Sequence, residues 1–285
     1  LVQTGTVASS ALLYSLARWD RVGVHYHPLF QLQLMGLNGA FLTGDLFNLF
    51  VFVEVVLAAS YGLLLHGSGA PRVKAGLHYI VVNLVASLLF LIGVSLIYGV
   101  AGTLNMADLG NRAAQLAASD RGLFDVGATI LGIAFLIKAA AWPLNFWLPS
   151  AYAAAGAPVA ALFSLLTKVG VYAIIRVSSL LDESGSHGPF GSDWLFFGGI
   201  ATVGFGIIGM LAAQQLARVV AYSVIVSSGT LLAAGGLDLD ALGAPALFYL
   251  SVSVLASSAF FMLTGMTERA PTHFHATADE APLPA

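Results

Sequence analysis

The chain has 285 residues, of which 58% are hydrophobic and only 9% charged. A soluble domain carries charge on roughly a quarter of its residues, so a water-exposed globule is excluded and an all-α polytopic membrane protein is expected. The net charge of -3 leaves no basic face for nucleic acid, and the lack of Cys excludes disulfide scaffolds, iron–sulfur ligation and Cys-based zinc sites.

In chain order, residues 1–16 form an apolar run without a basic n-region, which reads as the end of a transmembrane helix cut short. Eight more apolar segments follow, at about 30–43, 46–65, 77–100, 124–148, 158–181, 194–213, 219–236 and 244–264. Most reach the ~20 residues that cross about 30 Å of hydrocarbon at 1.5 Å per residue, so nine transmembrane helices are predicted. The short second segment is parted from the third by Thr43-Gly44-Asp45. The link from Ala101 to Asp125 carries Asp108, Arg112, Gln115, Asp120 and Arg121 among Ala and Leu, and predicts an amphipathic surface helix. Residues 268–285 lose the apolar period and read as a polar, disordered tail or a loop cut short.

Alternating nine spans sorts the loop charges onto two sides. One side receives Arg18, Arg21, Arg72, Lys74, Arg218 and Arg269. The other receives Arg112, Arg121 and Arg176 with most of the acids, including Asp45, Asp108, Asp182 and Glu183. Six cations against three place the first side in the cytoplasm.

Three charges do not fit the loops: Glu54, Lys138 and Lys168 each fall within two residues of a segment midpoint. A Lys stem of roughly 6 Å cannot span a half-thickness of about 15 Å, so none reaches the headgroups. Each costs about 2.5–3.5 kcal/mol on insertion scales. A structural ion pair beside a water pocket is one reading. The residue types favour another, because only three of the eleven cations are Lys (Lys74, Lys138, Lys168) and both midplane cations come from those three. Arg suits permanent pairing, whereas a buried Lys can release its proton, and titratable midplane charges are what proton relays require.

Polar side chains extend these positions into stripes: Ser164, Lys168, Tyr172 and Arg176 at steps of four; Lys138, Trp142 and Asn145; Asn83, Ser87 and Ser95; Ser223, Ser227 and Thr230. Ser and Thr in membrane helices also serve simple packing, so the Lys stripe is the stronger signal. Pro143 and Pro149 break the fifth segment and free carbonyls that lipid cannot satisfy, a device usual where helices line cavities. Intramembrane enzyme chemistry is disfavoured: there is no HExxH, no paired intramembrane Asp, and of seven His only His78 lies inside a span. A scaffold that merely holds other subunits would leave the three midplane charges as an unexplained cost.

On these residues the chain resembles a known family. Gly44-Asp45-Leu46-Phe47-Asn48-Leu49-Phe50-Val51-Phe52-Val53-Glu54 resembles the glutamate-bearing fifth helix of the D subunits of multisubunit, Mrp-type Na+/H+ antiporters. Lys138 through Trp142-Pro143 and Phe146-Trp147-Leu148-Pro149 resembles their broken seventh helix, and Leu165 through Lys168 and Tyr172 to Arg176 the eighth. The superfamily includes the antiporter-like proton-pumping subunits of respiratory complex I and of membrane-bound hydrogenases. There the broken helix is typically followed by Asp-Ala-His; Ser150-Ala151-Tyr152 leans toward the antiporter.

The resemblance implies a fourteen-helix antiporter-like fold with two inverted five-helix repeats, residues 30–181 being the first repeat and 194–264 the first three helices of the second. A loose likeness between Val55 to Gly67 and Val224 to Gly236 is the internal trace. The family's twelfth helix, with a further Lys, would lie outside these residues. It also implies a subunit of a monovalent cation/proton antiporter in a bacterial inner membrane, a secondary transporter with no cofactor and no metal. Its partners would be other subunits of a hetero-oligomeric complex, the lipid bilayer, H+, and Na+ or K+. Glu54 would pair with Lys138, whose proton would pass by water to Lys168, with Asp45, Asn145, Ser164 and Tyr172 tuning the pair or lining the path. A proton-pumping subunit of an NADH-quinone oxidoreductase or hydrogenase would use the same residues.

Overall fold

The structure, a computed structural model, describes residues 1–17, 25–67, 69–183, 191–237 and 239–278. Arg18, Arg21, Asp238 and residues 279–285 lie outside them, as do the side chains of Asp182, Glu183, Asp240 and Arg269. The described residues form twelve helices, in order: α1 (Val2–Ser15), α2 (Tyr26–Leu42), α3 (Leu46–Leu65), α4 (Ala70–Ala101), α5 (Met106–Ala114), α6 (Ala118–Lys138), α7 (Leu148–Ala154), α8 (Ala157–Phe163), α9 (Leu166–Glu183), α10 (Ser192–Ala212), α11 (Leu216–Gly235) and α12 (Leu239–Ala278). Among the described residues the β-structure is one isolated antiparallel bridge, Asp45 to Asn105.

Among the described residues six helical stretches are long and apolar enough to cross a bilayer: Leu46–Leu65, Ala70–Ala101, Ala157–Leu181, Ser192–Ala212, Leu216–Gly235 and Gly243–Thr267. The protein is therefore a multi-pass membrane protein. The other three predicted spans correspond to α1 and α2, at 14 and 17 residues, and to α6, whose first two turns hold Asp120, Arg121 and Asp125.

Three expectations change. The link after α4 is not one amphipathic helix: α5 holds Asp108 and Arg112, while Asp120 and Arg121 already belong to the start of α6, where a helix N-terminus favours the acid. The segment 158–181 is two helices, α8 and α9, with a tightened turn at Ser164 and Leu165 where Leu165 N–H bonds to Leu162 and Lys168 N–H to Leu165. The polar stretch from Glu268, read as a tail, continues helical as far as Ala278.

Close helix crossings depend on glycine, and they reveal an internal repeat. In the α2–α3 hairpin a Cβ on Gly36 would strike Val56 and Phe52, and one on Gly39 the Phe52 ring. Adding 170 to each number gives the α10–α11 hairpin, where Gly206 meets Val226 and Tyr222, and Gly209 the Tyr222 ring. The same shift carries the last residue of α2 onto that of α10 and both ends of α3 onto those of α11. α3 finishes at His66, whose carbonyl accepts from Arg72 Nη1 at 2.8 Å, and Arg72 Nε reaches Ala154 at 3.0 Å. α11 begins at that end, since Arg218 lines one pocket with Lys74 and Ala154. The two hairpins therefore run in opposite directions.

Candidate functional site

At its start α3 is capped by Asp45, whose carboxylate accepts from the N–H groups of Phe47 and Asn48, both at 2.9 Å. Asn105 caps α5 in the same way, at 3.1 and 3.2 Å to Ala107 and Asp108. Leu46 N–H to Leu104 and Met106 N–H to Gly44 pin the two caps together. Asp45 is thus a helix cap, about 13 Å along the axis from Glu54, and the structure does not bring it to the other candidate residues.

Glu54 is half-buried near the centre of α3. The Ser87 hydroxyl of α4 donates to Glu54 Oε1 and accepts from Lys138 Nζ at 3.4 Å. Among the described residues Glu54 and Lys138 form no direct ion pair. The pair expected from sequence is bridged: an acceptor-only carboxylate, a hydroxyl that does both, and a donor-only ammonium in series.

Lys138 is not inside a helix but at its last position. Ala139 is the cap, Ala140 takes a left-handed φ of 55°, Ala140 N–H bonds to Ile137, and Ala141 N–H to Leu136. This is a Schellman ending with Ala where Gly is usual. It places the ammonium at the negative end of the α6 dipole. The break therefore opens at Ala139, ahead of Pro143, and lasts to Trp147; the Trp142–Pro143 peptide is cis, and Pro149 lies in the first turn of α7. Its freed backbone groups are satisfied from outside: Trp142 N–H bonds to Thr202 Oγ1 of α10 at 2.9 Å, and Trp147 Nε1 bonds to the Ile137 carbonyl at 3.2 Å.

Lys138 is 6% exposed and Lys168 2%. Lys168 sits in the first turn of α9 and donates to Ser227 Oγ at 2.7 Å and Ser228 Oγ at 3.4 Å, both on α11. The stripe predicted on α9 does not stay together. Steps of four drift by about 40° each, so its ends differ by about 120°. Ser164 bonds to Ser258 of α12 at 2.8 Å, while Tyr172 donates to the Phe41 carbonyl at 3.2 Å and accepts from Arg176 at 2.8 Å. Among the described residues Ser223 and Thr230 bond only within their own helix.

A cavity of about 30 Å³ lies against Lys138, lined also by Tyr79, Asn83, Val53, Gly170 and Ala173. At about 10–15 Å³ per water position it has room for two or so. A Cβ on Gly170 would come 2.8 Å from the Lys138 carbonyl carbon, so α9 runs directly against the break. Gly170 and Lys168 are two residues apart, about 200°, so the lysines face opposite sides of α9. Asn145 Nδ2 of the break and Thr167 Oγ1, next to Lys168 in α9, are buried with no hydrogen-bond partner among the described residues, as are both amide atoms of Gln33 on α2. Sequence reading passed over Thr167, Gln33, Thr202 and Ser228; only Ser228, beside Ser227 in the eighth segment, had a signal.

Known proteins carry the same architecture. Residues 43–282 match the family model described as NADH:quinone oxidoreductase/Mrp antiporter, TM. A Rhizobium meliloti protein named as the D subunit of a probable K(+)/H(+) antiporter is 61% identical over 271 residues, 94% of this chain and 50% of that one. The D subunit of the Na(+)/H(+) antiporter of Alkalihalophilus pseudofirmus is 38% identical over 88% of this chain and 50% of its own length. A chain in the structure of the Mrp complex from Dietzia sp. aligns with a TM-score of 0.81 at 36% identity, over 92% of this chain and 49% of that one. The chain thus spans about half the length of the curated relatives it matches. It belongs to the NADH:quinone oxidoreductase/Mrp antiporter transmembrane family.

Proposed function

We propose that this chain is the proton-carrying part of a D-type subunit in a multisubunit monovalent cation/proton antiporter of a bacterial inner membrane. The observation that carries the reading is the Glu54–Ser87–Lys138 series buried beside a water-sized cavity. In this reading Lys138 exchanges its proton with Glu54 through the hydroxyl. It passes a proton toward Lys168 by way of water held at the cavity and at Asn145 and Thr167, two of the buried polar groups without a partner among the described residues. Lys168, on the far side of α9, is held by the serines of α11.

The inverted hairpins favour the two-repeat organisation, with residues 30–181 as the first repeat, 194–264 as the start of the second, and fourteen helices in the whole subunit. The exchanged cation is Na+ or K+, by the names of the two relatives. The partners are the other antiporter subunits, and the role is secondary transport rather than enzyme catalysis. In the full complex, Glu54→Gln and Lys138→Ala should each abolish cation-dependent pH recovery in everted vesicles. Near wild-type recovery in either variant would refute the mechanism.

A further inference from the structure

A second cavity, of about 530 Å³, lies outside the relay at the end of the bundle where α3 finishes and α11 begins. That size is within the range of ligand pockets, about 300–1,000 Å³. Its walls come from the first turns of α4, from α7 and from the start of α11. They present Lys74, His78 and Arg218 with the amide of Gln215 and the hydroxyl of Ser150, and no carboxylate. Lys74, His78 and Arg218 have no ion pair or hydrogen bond among the described residues. Arg72, by contrast, is committed to the carbonyls of His66 and Ala154, a clamp that fixes the wall. Lys74 and Arg218 therefore line a space to which the described residues bring no anion.

The surroundings identify the counter-charge. The pocket opens at the ends of membrane spans, beside Val73, Leu77, Phe146 and Leu216, which are each 54–63% exposed. Exposed apolar side chains at the ends of spans face acyl chains; Lys74 stands about one turn further out than Leu77 along α4, and Arg218, in the first turn of α11, reaches headgroup level on its long stem. Lys74 and Arg218, in the first turns of α4 and α11, lie on the side that the positive-inside rule assigns to the cytoplasm, where the leaflet carries the anionic lipid. We propose that this pocket binds the headgroup of an anionic phospholipid, its phosphate between Lys74 and Arg218 and its acyl chains along Phe146 and Leu77.

The test uses the complete multisubunit complex, delipidated in detergent, with native mass spectrometry of retained phosphatidylglycerol and phosphatidylcholine. In K74Q/R218Q retention of phosphatidylglycerol should fall on the order of tenfold or more, while phosphatidylcholine is unchanged. K74R/R218K, which keeps the charges, should bind like wild type and separates charge loss from faulty assembly. Equal phosphatidylglycerol retention in K74Q/R218Q would overturn the proposal, as would loss in K74R/R218K. Displacement of the lipid by inorganic phosphate would show a free-anion site instead. A photo-crosslinker at Ser150 should capture lipid; capture of another subunit would make the pocket a protein interface and defeat the proposal.

Discussion

Ser87→Ala is the sharpest probe of the candidate site, because it removes one oxygen and leaves both charged residues in place. In the structure that oxygen donates to Glu54 and accepts from Lys138 at 3.4 Å, and no direct contact between the two can substitute. A hydrogen bond to a charged group contributes about 1.5–3 kcal/mol. If one such contact is lost from the barrier of the transfer step, transport slows by about 10- to 150-fold at ~1.4 kcal/mol per decade. Ser87→Thr keeps the hydroxyl on the same helix face and should retain most activity. The assay is cation-driven recovery of a pH-sensitive dye in everted vesicles carrying the whole complex, normalised to the amount assembled. Ser87→Ala within threefold of wild type, or Ser87→Thr as slow as Ser87→Ala, would refute the bridge as the conducting element.

Other substitutions examine the framework around it. Ala140→Gly relieves a left-handed alanine and should raise the unfolding temperature of the complex, a gain of about 1 kcal/mol, whereas Ala140→Val should lower it; the opposite order would contradict the helix ending at Lys138. Gly170→Ala puts a methyl 2.5 Å from Ala139 N and 2.8 Å from the Lys138 carbonyl carbon, a clash costing about 1–3 kcal/mol. Reduced assembly is expected, and full yield with full transport would show that α9 does not press on the break. Removing both hydroxyls in S227A/S228A strands the buried Lys168 ammonium and should destabilise by about 1–3 kcal/mol. The same double change in a Lys168→Met background should cost much less, and equal costs in both backgrounds would dissociate the serines from the lysine.

The apolar runs of α3, α10 and α11 were legible to within a few residues of their hydropathy limits, whereas α4 begins seven residues before its limit and α12 runs well past its own. Breaks were legible only where a special residue marks them. Pro143 announced an interruption, but the helix ends ahead of it, at Lys138, because a Schellman ending can be built on Ala and leaves no glycine to read. The turn at Ser164 and Leu165 has neither Pro nor Gly, so two helices read as one. Glu54, Lys138 and Lys168 stood out because charge in an apolar run is rare. Ser87 and Ser227 were visible only as members of polar stripes, and which helix each would face depends on packing that a single periodicity does not encode. Arg176 shows the converse: counted with the loop cations, it is half-buried and donates to Tyr172 inside the span. The hairpin repeat was blurred by one residue, an offset of 169 in the matched peptides against 170 in the packed glycines.

The hydroxyl between Glu54 and Lys138 also has a polarity. With its hydrogen on Glu54 and its lone pair toward Lys138, it hands a proton from the lysine to the glutamate and in doing so reverses, left pointing at the amine it has just relieved. A return transfer can use that new orientation, but a second forward transfer must wait until the hydroxyl has rotated back. A direct ion pair keeps no record of the last event. A serine in its place remembers one, so in the proposed relay the turning of a single buried rotor separates successive protons and makes idle shuttling distinct from net flow.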